Sequence, residues 1–515
     1  MLLKFALLIS LTSIYLADAS RILAVIPTAS YSHQIFFRPL WKELAKRGHE
    51  VVLITTDPMR DHNITNLREI DISNVYDYQK TVTIQDIIKV NKLSSIRVTQ
   101  SIGLLMTQLF LSHPEVKQLF KNPNEHFDLL MLETVLLGVK AFKHRFAETS
   151  LIYMSSLDVH PDVHEMVGNP NHMIQYPYYF LPFGEGMDFV GRLLTNAIVR
   201  ISRAYMYYII TPQIDAIIRE VLEVDYPSVR EEVQVDMVFT NSNPLFNSVR
   251  PFSPATISLA GGLHEAPKSE LPTDIKEFLD SAPKGVVYFS LGSNVKSKNI
   301  HPDTRKVILE TLKQLPYKIL WKFEDDELPN KPENVMIAKW VPQQDVLRHK
   351  NIKLFITQGG LQSLEEAFYV GVPVVVMPYF GDQGSNARSV VRKGLGLEVS
   401  HRSLTVEDFK SAVLEVATND KYKIRIKQLT EIIKDEPMKP LEKAVWWTEY
   451  VLRHKGAQHL NGARIPMWQF YYLDIIAFIG VMLFGLIWGL VKLCCTIRNL
   501  CRKRVFIKKG KNKRE

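Results

Sequence analysis

The sequence predicts an α/β protein of two domains, each a parallel sheet with helices on both faces, followed by one transmembrane helix. Three observations lead there. Short apolar strands alternate with amphipathic helices, the alternation restarts near residue 265, and a charge-free apolar run lies close to the carboxyl end. A chain of 515 residues, 46% hydrophobic and 23% charged, has room for two such cores and is globular rather than disordered.

Residues 1–19 stand apart from the fold. Lys4, the apolar run Phe5 to Leu16 and Ala17-Asp18-Ala19 form a secretory signal with a small-x-small cleavage site. An uncleaved anchor is the alternative, disfavoured because the run is shorter than the roughly 20 apolar residues a bilayer needs.

The first domain is expected over 20–264. Arg21 to Pro27 (RILAVIP) is a strand, Thr28 to His33 a polar loop, Gln34 to Arg47 an amphipathic helix stopped by Gly48, and Glu50 to Thr55 a second strand, a βαβ opening. Asn63-Ile64-Thr65 makes Asn63 the expected glycosylation site. The body contains no cysteine, which removes disulfides, thiolate metal sites and a cysteine nucleophile from it.

The second domain is expected over 265–465. Gly285 to Leu291 is a strand, Gly292-Ser293 a turn, Arg305 to Gln314 a helix and Lys318 to Phe323 a strand. Lys353 to Thr357 then leads through Gln358-Gly359-Gly360 into a helix from Leu361 to Val370, stopped by Gly371 before Pro373. A glycine turn opening a helix at the carboxyl end of a strand suits a phosphate, because backbone N–H groups and the helix dipole both favour an anion; a ligand-free tight turn has the same signature. No G-x-G-x-x-G follows either opening strand, and Gly510-Lys511 is the only Gly-Lys, so neither a dinucleotide fingerprint nor a Walker A loop is present. There is no Asp-x-Asp, and Asp325-Asp326 lies in a loop-like acidic stretch, so no metal site and no cofactor is expected.

A transmembrane segment with an aromatic belt is expected over 466–493. Ile475 to Val491 carries no charge, follows Trp468, Phe470, Tyr471 and Tyr472, and precedes a basic tail over 494–515. From Lys492 onward ten Lys or Arg face only Glu515, so the tail accounts for the whole formal net charge of +9. The body is then neutral, with no electrostatic case for nucleic acid, and the positive-inside rule places the tail in the cytosol and the body in the lumen. Lys511 and Lys513 resemble a dilysine signal for return to the endoplasmic reticulum. Cys494, Cys495 and Cys501 sit at the cytosolic edge, where palmitoylation and inert thiols are both open.

Trp340-Val341-Pro342-Gln343, then Phe355 to Gly360, Ser363, Glu366, Gly371-Val372-Pro373, Pro378 and Asp382-Gln383 resemble the signature of the UDP-glycosyltransferases. RPFSPATISLAGGLH, FLDSAPKGVVYFSLGSN and WWTEYVLRHKGAQHL resemble the membrane-bound animal members, insect ones above all, and the resemblance covers almost the whole chain. It implies a GT-B fold, two facing Rossmann-like domains, the first for the acceptor and the second for the UDP-sugar, which is a co-substrate and not a cofactor. By resemblance Trp340 stacks on the uracil, Gln343 contacts the nucleoside and Glu366 accepts the ribose hydroxyls. Ser293, Gly360, Ser363 and Gln358 hold the diphosphate, and Asp382 and Gln383 bind the sugar. Gln358 stands where many members have His and cannot carry charge.

The resemblance makes His33 the general base for an acceptor hydroxyl, a role suited to an imidazole at neutral pH. Glu133, in FDLLMLETVLLG, stands where the family has an Asp that holds the ring; Asp128 competes for that role, but strand alternation puts it on the opposite face. The implied reaction is inverting, metal-independent transfer of a sugar from UDP-glucose or UDP-glucuronate to a small lipophilic acceptor, serving detoxification or conjugation. Tyr176 to Pro182 and Tyr205 to Tyr208 are candidates for lining its pocket, core and membrane-facing packing being the alternatives. A lipophile carrier with the same fold and weakened chemistry is the competing function, a nucleotide-sugar epimerase a more distant one, and a homo-oligomer stays open.

Overall fold

The computed structural model describes residues 19–82, 86, 92–178, 186–244 and 247–511. The expected signal and the end of the YPYYFLP stretch lie outside the described residues, as does Lys513. Residues 1–462 form one compact unit and 463–515 a second.

Among the described residues, the first sheet holds seven strands: β1 Arg21–Ile26, β2 Glu50–Thr55, β3 Leu67–Asp71, β4 Leu129–Glu133, β5 Ser150–Ser155, β6 Met237–Thr240 and β7 Thr256–Ser258. Every pairing is parallel and the order is β3-β2-β1-β4-β5-β6-β7. The second sheet, also parallel, holds β8 Val286–Ser290, β9 Lys318–Lys322, β10 Val335–Ala338, β11 Ile352–Thr357, β12 Val374–Val376 and β13 Gly396–Glu398 in the order β10-β9-β8-β11-β12-β13. Inner strands such as β4 (LLMLE) and β8 (VVYFS) are buried along their length, as a sheet covered on both faces requires.

Strand order reverses between β1 and β4 in the first sheet and between β8 and β11 in the second. At such a switch point the two flanking connections leave on opposite faces and open a crevice beyond the carboxyl ends of the strands. His33 follows β1 and Glu133 ends β4; Gly292-Ser293 follows β8 and Gln358-Gly359-Gly360 follows β11. Both crevices therefore hold residues that the sequence singled out.

Two expectations need correction. The helix after β1 begins at Tyr31, so His33 lies in its first turn, not in a loop; the His33 N–H donates to the Ser30 carbonyl at 3.0 Å. And the division at residue 265 puts the whole of 265–465 with the second sheet, whereas the helix Pro440–His454 packs on the first. Ala444, Val445, Val451 and Ala457 share a core with Phe36, Trp41 and Met237. Buried Asp236 fastens this return, accepting from the backbone N–H groups of Leu151 and Ala457 and from Gln458 Nε2 at 2.8, 3.0 and 2.8 Å.

The second unit holds a helix from Leu473 to Lys511, of which Leu473–Arg502 is long and apolar enough to cross a membrane. It suits an anchor.

Candidate active site

The first crevice is built around a buried carboxylate. β4 is apolar until its last residue, Glu133, which is fully buried. A buried carboxylate is costly unless it is hydrogen-bonded. Here Thr28 Oγ1 donates to Oε2 at 2.6 Å, and His33 Nδ1 lies 2.5 Å from Oε1. Burial alone would push the imidazole pKa down; the charge and hydrogen bond of Glu133, with a pull from Asp382, outweigh it and hold His33 above its ordinary 6.5. Asp128, the competing partner, is at the far end of β4, where it accepts from the Arg21 N–H at 2.7 Å.

The second crevice is lined by two glycine turns. Gly292 has φ +73°, and a Cβ there would meet Gln358 Nε2 at 2.5 Å, so the turns after β8 and β11 touch. Gly359 has φ +89°, while Gly360, at φ −62°, caps the helix Leu361–Tyr369 and turns its free N–H groups toward the crevice. Gln358 is buried with Oε1 unpaired.

Ser363 and Glu366 stand one turn apart on that helix, hence on one face. Gln343, at the start of the short helix after β10, reaches both: its Nε2 donates to Ser363 Oγ at 3.0 Å and to Glu366 Oε2 at 2.7 Å, while its Oε1 accepts from the Tyr288 hydroxyl at 3.1 Å. Burial pushes the Glu366 carboxyl pKa up, but His264, Gln343 and Gln344 outweigh it and hold it below the ordinary value. Trp340, three residues before Gln343 in the chain, is 60% exposed and leaves a broad indole surface open to a stacking ligand.

Asp382 and Gln383 open the helix that follows β12. Asp382 accepts from Asn386 Nδ2 at 2.7 Å, and burial raises its carboxyl pKa. Gln383 is buried, and its Oε1 accepts from the N–H groups of Tyr379 and Phe380 at 2.8 and 3.1 Å, so that end of the amide holds the loop in shape.

The two crevices face one another. Asn294, beside Ser293, donates to Ser30 Oγ at 3.0 Å, and Tyr31 meets Trp340 edge-on with centroids 5.5 Å apart. Deeper in, Gln362 Nε2 donates to the Ser156 carbonyl at 2.8 Å, and Glu365 accepts from Asn241 and Asn243 at 3.1 and 3.0 Å. The helix carrying Ser363 and Glu366 is thus gripped by the first domain through its alternate positions.

Sequence reasoning missed Thr28 and Lys322. Lys322 ends β9 and is largely buried; its Nζ donates to the Gly292 carbonyl at 2.9 Å and lies 5.7 Å from the Trp340 ring centre. Burial pushes its pKa down. A lysine at the carboxyl end of the apolar strand KILWK, beside a switch point, was the available signal. In the two tyrosine stretches, Tyr207 and Tyr208 are exposed and Tyr176 is buried beneath Arg250, while Tyr179 to Pro182 lie outside the described residues. Asp325 and Asp326 are paired with Lys298 and Lys339 on the surface, and Asn63 is exposed.

Residues 21–512 match the family model described as UDP-glucoronosyl and UDP-glucosyl transferase. The chain belongs to this family. The transferase is 34% identical over 488 residues to the ecdysteroid UDP-glucosyltransferase of Spodoptera littoralis nuclear polyhedrosis virus, covering 89% of this chain and 93% of that protein. It is 32% identical over 489 residues to UDP-glucosyltransferase 2 of Dactylopius coccus, covering 92% and 93%. Among solved structures it superposes on the calicheamicin glycosyltransferase with a TM-score of 0.55 at 17% identity, over 85% of this chain and 99% of that one, a likeness of fold alone. The transferase is a hexosyltransferase of GT-B fold that moves a sugar from a UDP-sugar to an acceptor.

Proposed function

We propose that this enzyme transfers glucose from UDP-glucose to a hydroxyl of a small lipophilic acceptor, with inversion and without a metal ion. The observation that carries this reading is the His33–Glu133 pair, set opposite Asp382 across a cleft whose other wall is a glycine-turn helix start. Glucose is preferred because both relatives above are named glucosyltransferases.

The donor lies along the second crevice. Trp340 stacks on the uracil, Gln343 contacts the nucleoside, and the ionised Glu366 accepts from the ribose hydroxyls. Ser293, Gln358, the Gly360 turn and Ser363 hold the diphosphate, with Lys322, which donates to the Gly292 carbonyl and pairs with Glu324 at 3.4 Å, supplying a buried positive charge at the neighbouring turn. Asp382 and the Nε2 amide of Gln383 bind sugar hydroxyls.

Because Glu133 occupies Nδ1, the neutral ring of His33 carries its proton there and leaves Nε2 as the base. Nε2 takes the proton of the acceptor hydroxyl as its oxygen attacks the anomeric carbon. The bond from that carbon to the diphosphate breaks on the opposite side and UDP leaves. Glu133 stabilises the imidazolium that results, doing the work the family gives to Asp. One displacement on an α-linked sugar gives a β-glycoside.

The setting we propose is the membrane of the endoplasmic reticulum, with the body and the glycan on Asn63 in the lumen and the basic tail in the cytosol. The test is transfer from UDP-glucose to a panel of small phenols by microsomes carrying the protein, with EDTA present and His33→Ala as control. A β-glucoside formed under EDTA and lost in the variant is the expected result. Loss of product on adding EDTA, restored by a divalent cation, overturns the metal-independent reading. UDP binding with no transfer from UDP-glucose or UDP-glucuronate points instead to a lipophile carrier.

A further inference from the structure

The chain that joins the sheets passes directly behind the donor crevice. It leaves β7 and turns at Gly261 and Gly262, both at positive φ (+113° and +94°), where Cβ atoms would press on Pro440 and on the Tyr369 ring. That geometry points the next polar side chain, His264, inward, where it is 3% exposed. His264 Nε2 lies 3.4 Å from Glu366 Oε1. Gln344 closes the circuit: its Nε2 donates to the same Oε1 and to the His264 carbonyl, each at 3.1 Å. Glu366 is therefore held from two sides, Oε1 by the linker and Oε2 by Gln343 at 2.7 Å on the crevice side. The other face of the imidazole meets Phe36, at 5.7 Å between ring centres, on the helix that carries His33.

We propose that His264 is a positioning residue for donor binding: from the interdomain linker it fixes Oε1 of Glu366, so that Oε2 is presented to the ribose. This rests on the reading of Glu366 as the ribose carboxylate. A carboxylate accepts from two adjacent hydroxyls best when it does not rotate, and orientation errors of small size are expensive in such sites. The charge pairing agrees with the geometry. Burial would depress the His264 pKa, but Glu366 outweighs it and raises it, while Glu366 is lowered, so each group favours the charged form of the other. Because His264 also packs on Phe36, the grip on ribose and the placement of the base's helix share one side chain.

The experiment uses the full-length protein in microsomes and compares His264→Leu, His264→Gln and Glu366→Ala. KM and kcat are measured for UDP-glucose and for its 2′-deoxy and 3′-deoxy ribose analogues. Leu removes the contact and Gln keeps a donor to Oε1. For His264→Leu, KM for UDP-glucose rises about tenfold with kcat within about twofold, the size expected of one polar contact to a buried charge. The same substitution costs little on at least one deoxy donor, and His264→Gln restores most of the affinity. A folded His264→Leu protein with unchanged KM, or with an equal penalty on all three donors, overturns the proposal. If the leucine variant does not accumulate, His264→Asn, with shorter reach, is set against His264→Gln in the same way; equal KM values on all donors overturn it. Should Glu366→Ala itself not distinguish ribose from deoxyribose donors, the reading of Glu366 is what fails.

Discussion

Nδ1 of His33 and Oε1 of Glu133 lie 2.5 Å apart although they stand 100 residues from one another in the chain, one in the first turn after β1 and the other at the end of β4. The pair fixes the tautomer of the ring, and its disruption is predicted to be legible in a pH profile. A base works when unprotonated, so kcat/KM falls on the acid side, with a midpoint above the ordinary imidazole value because the His33 pKa is raised. Glu133→Gln removes the largest upward influence and leaves burial opposed only by the weaker pull of Asp382, so the midpoint moves to lower pH while kcat falls by roughly 10²-fold or more. An unchanged midpoint in a folded Glu133→Gln protein would count against the pairing.

Lys322 offers the second prediction. Its ammonium group joins the Gly292 turn to the Trp340 ring and also pairs with Glu324 Oε1 at 3.4 Å. Lys322→Met keeps the apolar stem and removes the charge. UDP binding weakens by about tenfold, the size of a lost charge-assisted contact, whereas uridine binding hardly changes. The two dissociation constants, measured by calorimetry, make the comparison; equal losses for both ligands would place Lys322 at the nucleoside.

The adjacent glycines of the β11 turn are predicted to differ. Gly359 has φ +89°, and a Cβ there would lie 2.6 Å from Val376 Cγ1; Gly360 has φ −62° with only Gln358 Nε2 at 3.5 Å. Gly359→Ala costs about 1–2 kcal/mol from left-handed backbone alone, with the Val376 clash added. Gly360→Ala is close to neutral for stability. Thermal melting of the two variants decides this, and similar melting temperatures would show that the turn relaxes.

Asp236 joins the returning carboxyl-terminal segment to the first sheet, accepting from two backbone N–H groups and one side-chain amide. Asp236→Ala leaves those buried donors unpaired, at about 1–3 kcal/mol each when no water replaces the carboxylate. Residues 440–462 then become the first site of limited proteolysis. Cleavage elsewhere at the wild-type rate would argue that the apolar contacts of Ala444, Val445 and Val451 hold the segment without it.

The strands were legible in the sequence because buried parallel strands are short apolar runs bounded by polar turns: RILAVIP and GVVYFSL lie on β1 and β8 to within a residue or two. The start of the helix at Tyr31 was not legible. Ser30-Tyr31-Ser32-His33 shows no apolar periodicity, and the turn is made by backbone bonds that any residues could form. The return of Pro440–His454 to the first sheet was equally hidden, since an amphipathic helix announces that it packs but not on what. Motif residues such as Gln343, Ser363 and Glu366 do come together, as their ordered spacing implied. Thr28 and Lys322 are in no motif, and His264 ends the RPFSPATISLAGGLH stretch without any role attached to it; each matters through a partner far away in the chain, and a single sequence carries no record of such distances.

The return of Pro440–His454 also decides how the halves can move. The second sheet is not a terminal bead on a string but an excursion, entered by the chain near His264 and left again near Pro440, with both crossings fastened to the first sheet's side of the molecule. A body tied at two points keeps one inexpensive motion, rotation about the line through them; twisting or sliding would stretch one of the ties. The two crossings would set the axis of any opening for donor exchange, and the contacts that Gln362, Glu365 and Asn294 make with the first domain would have to part along it.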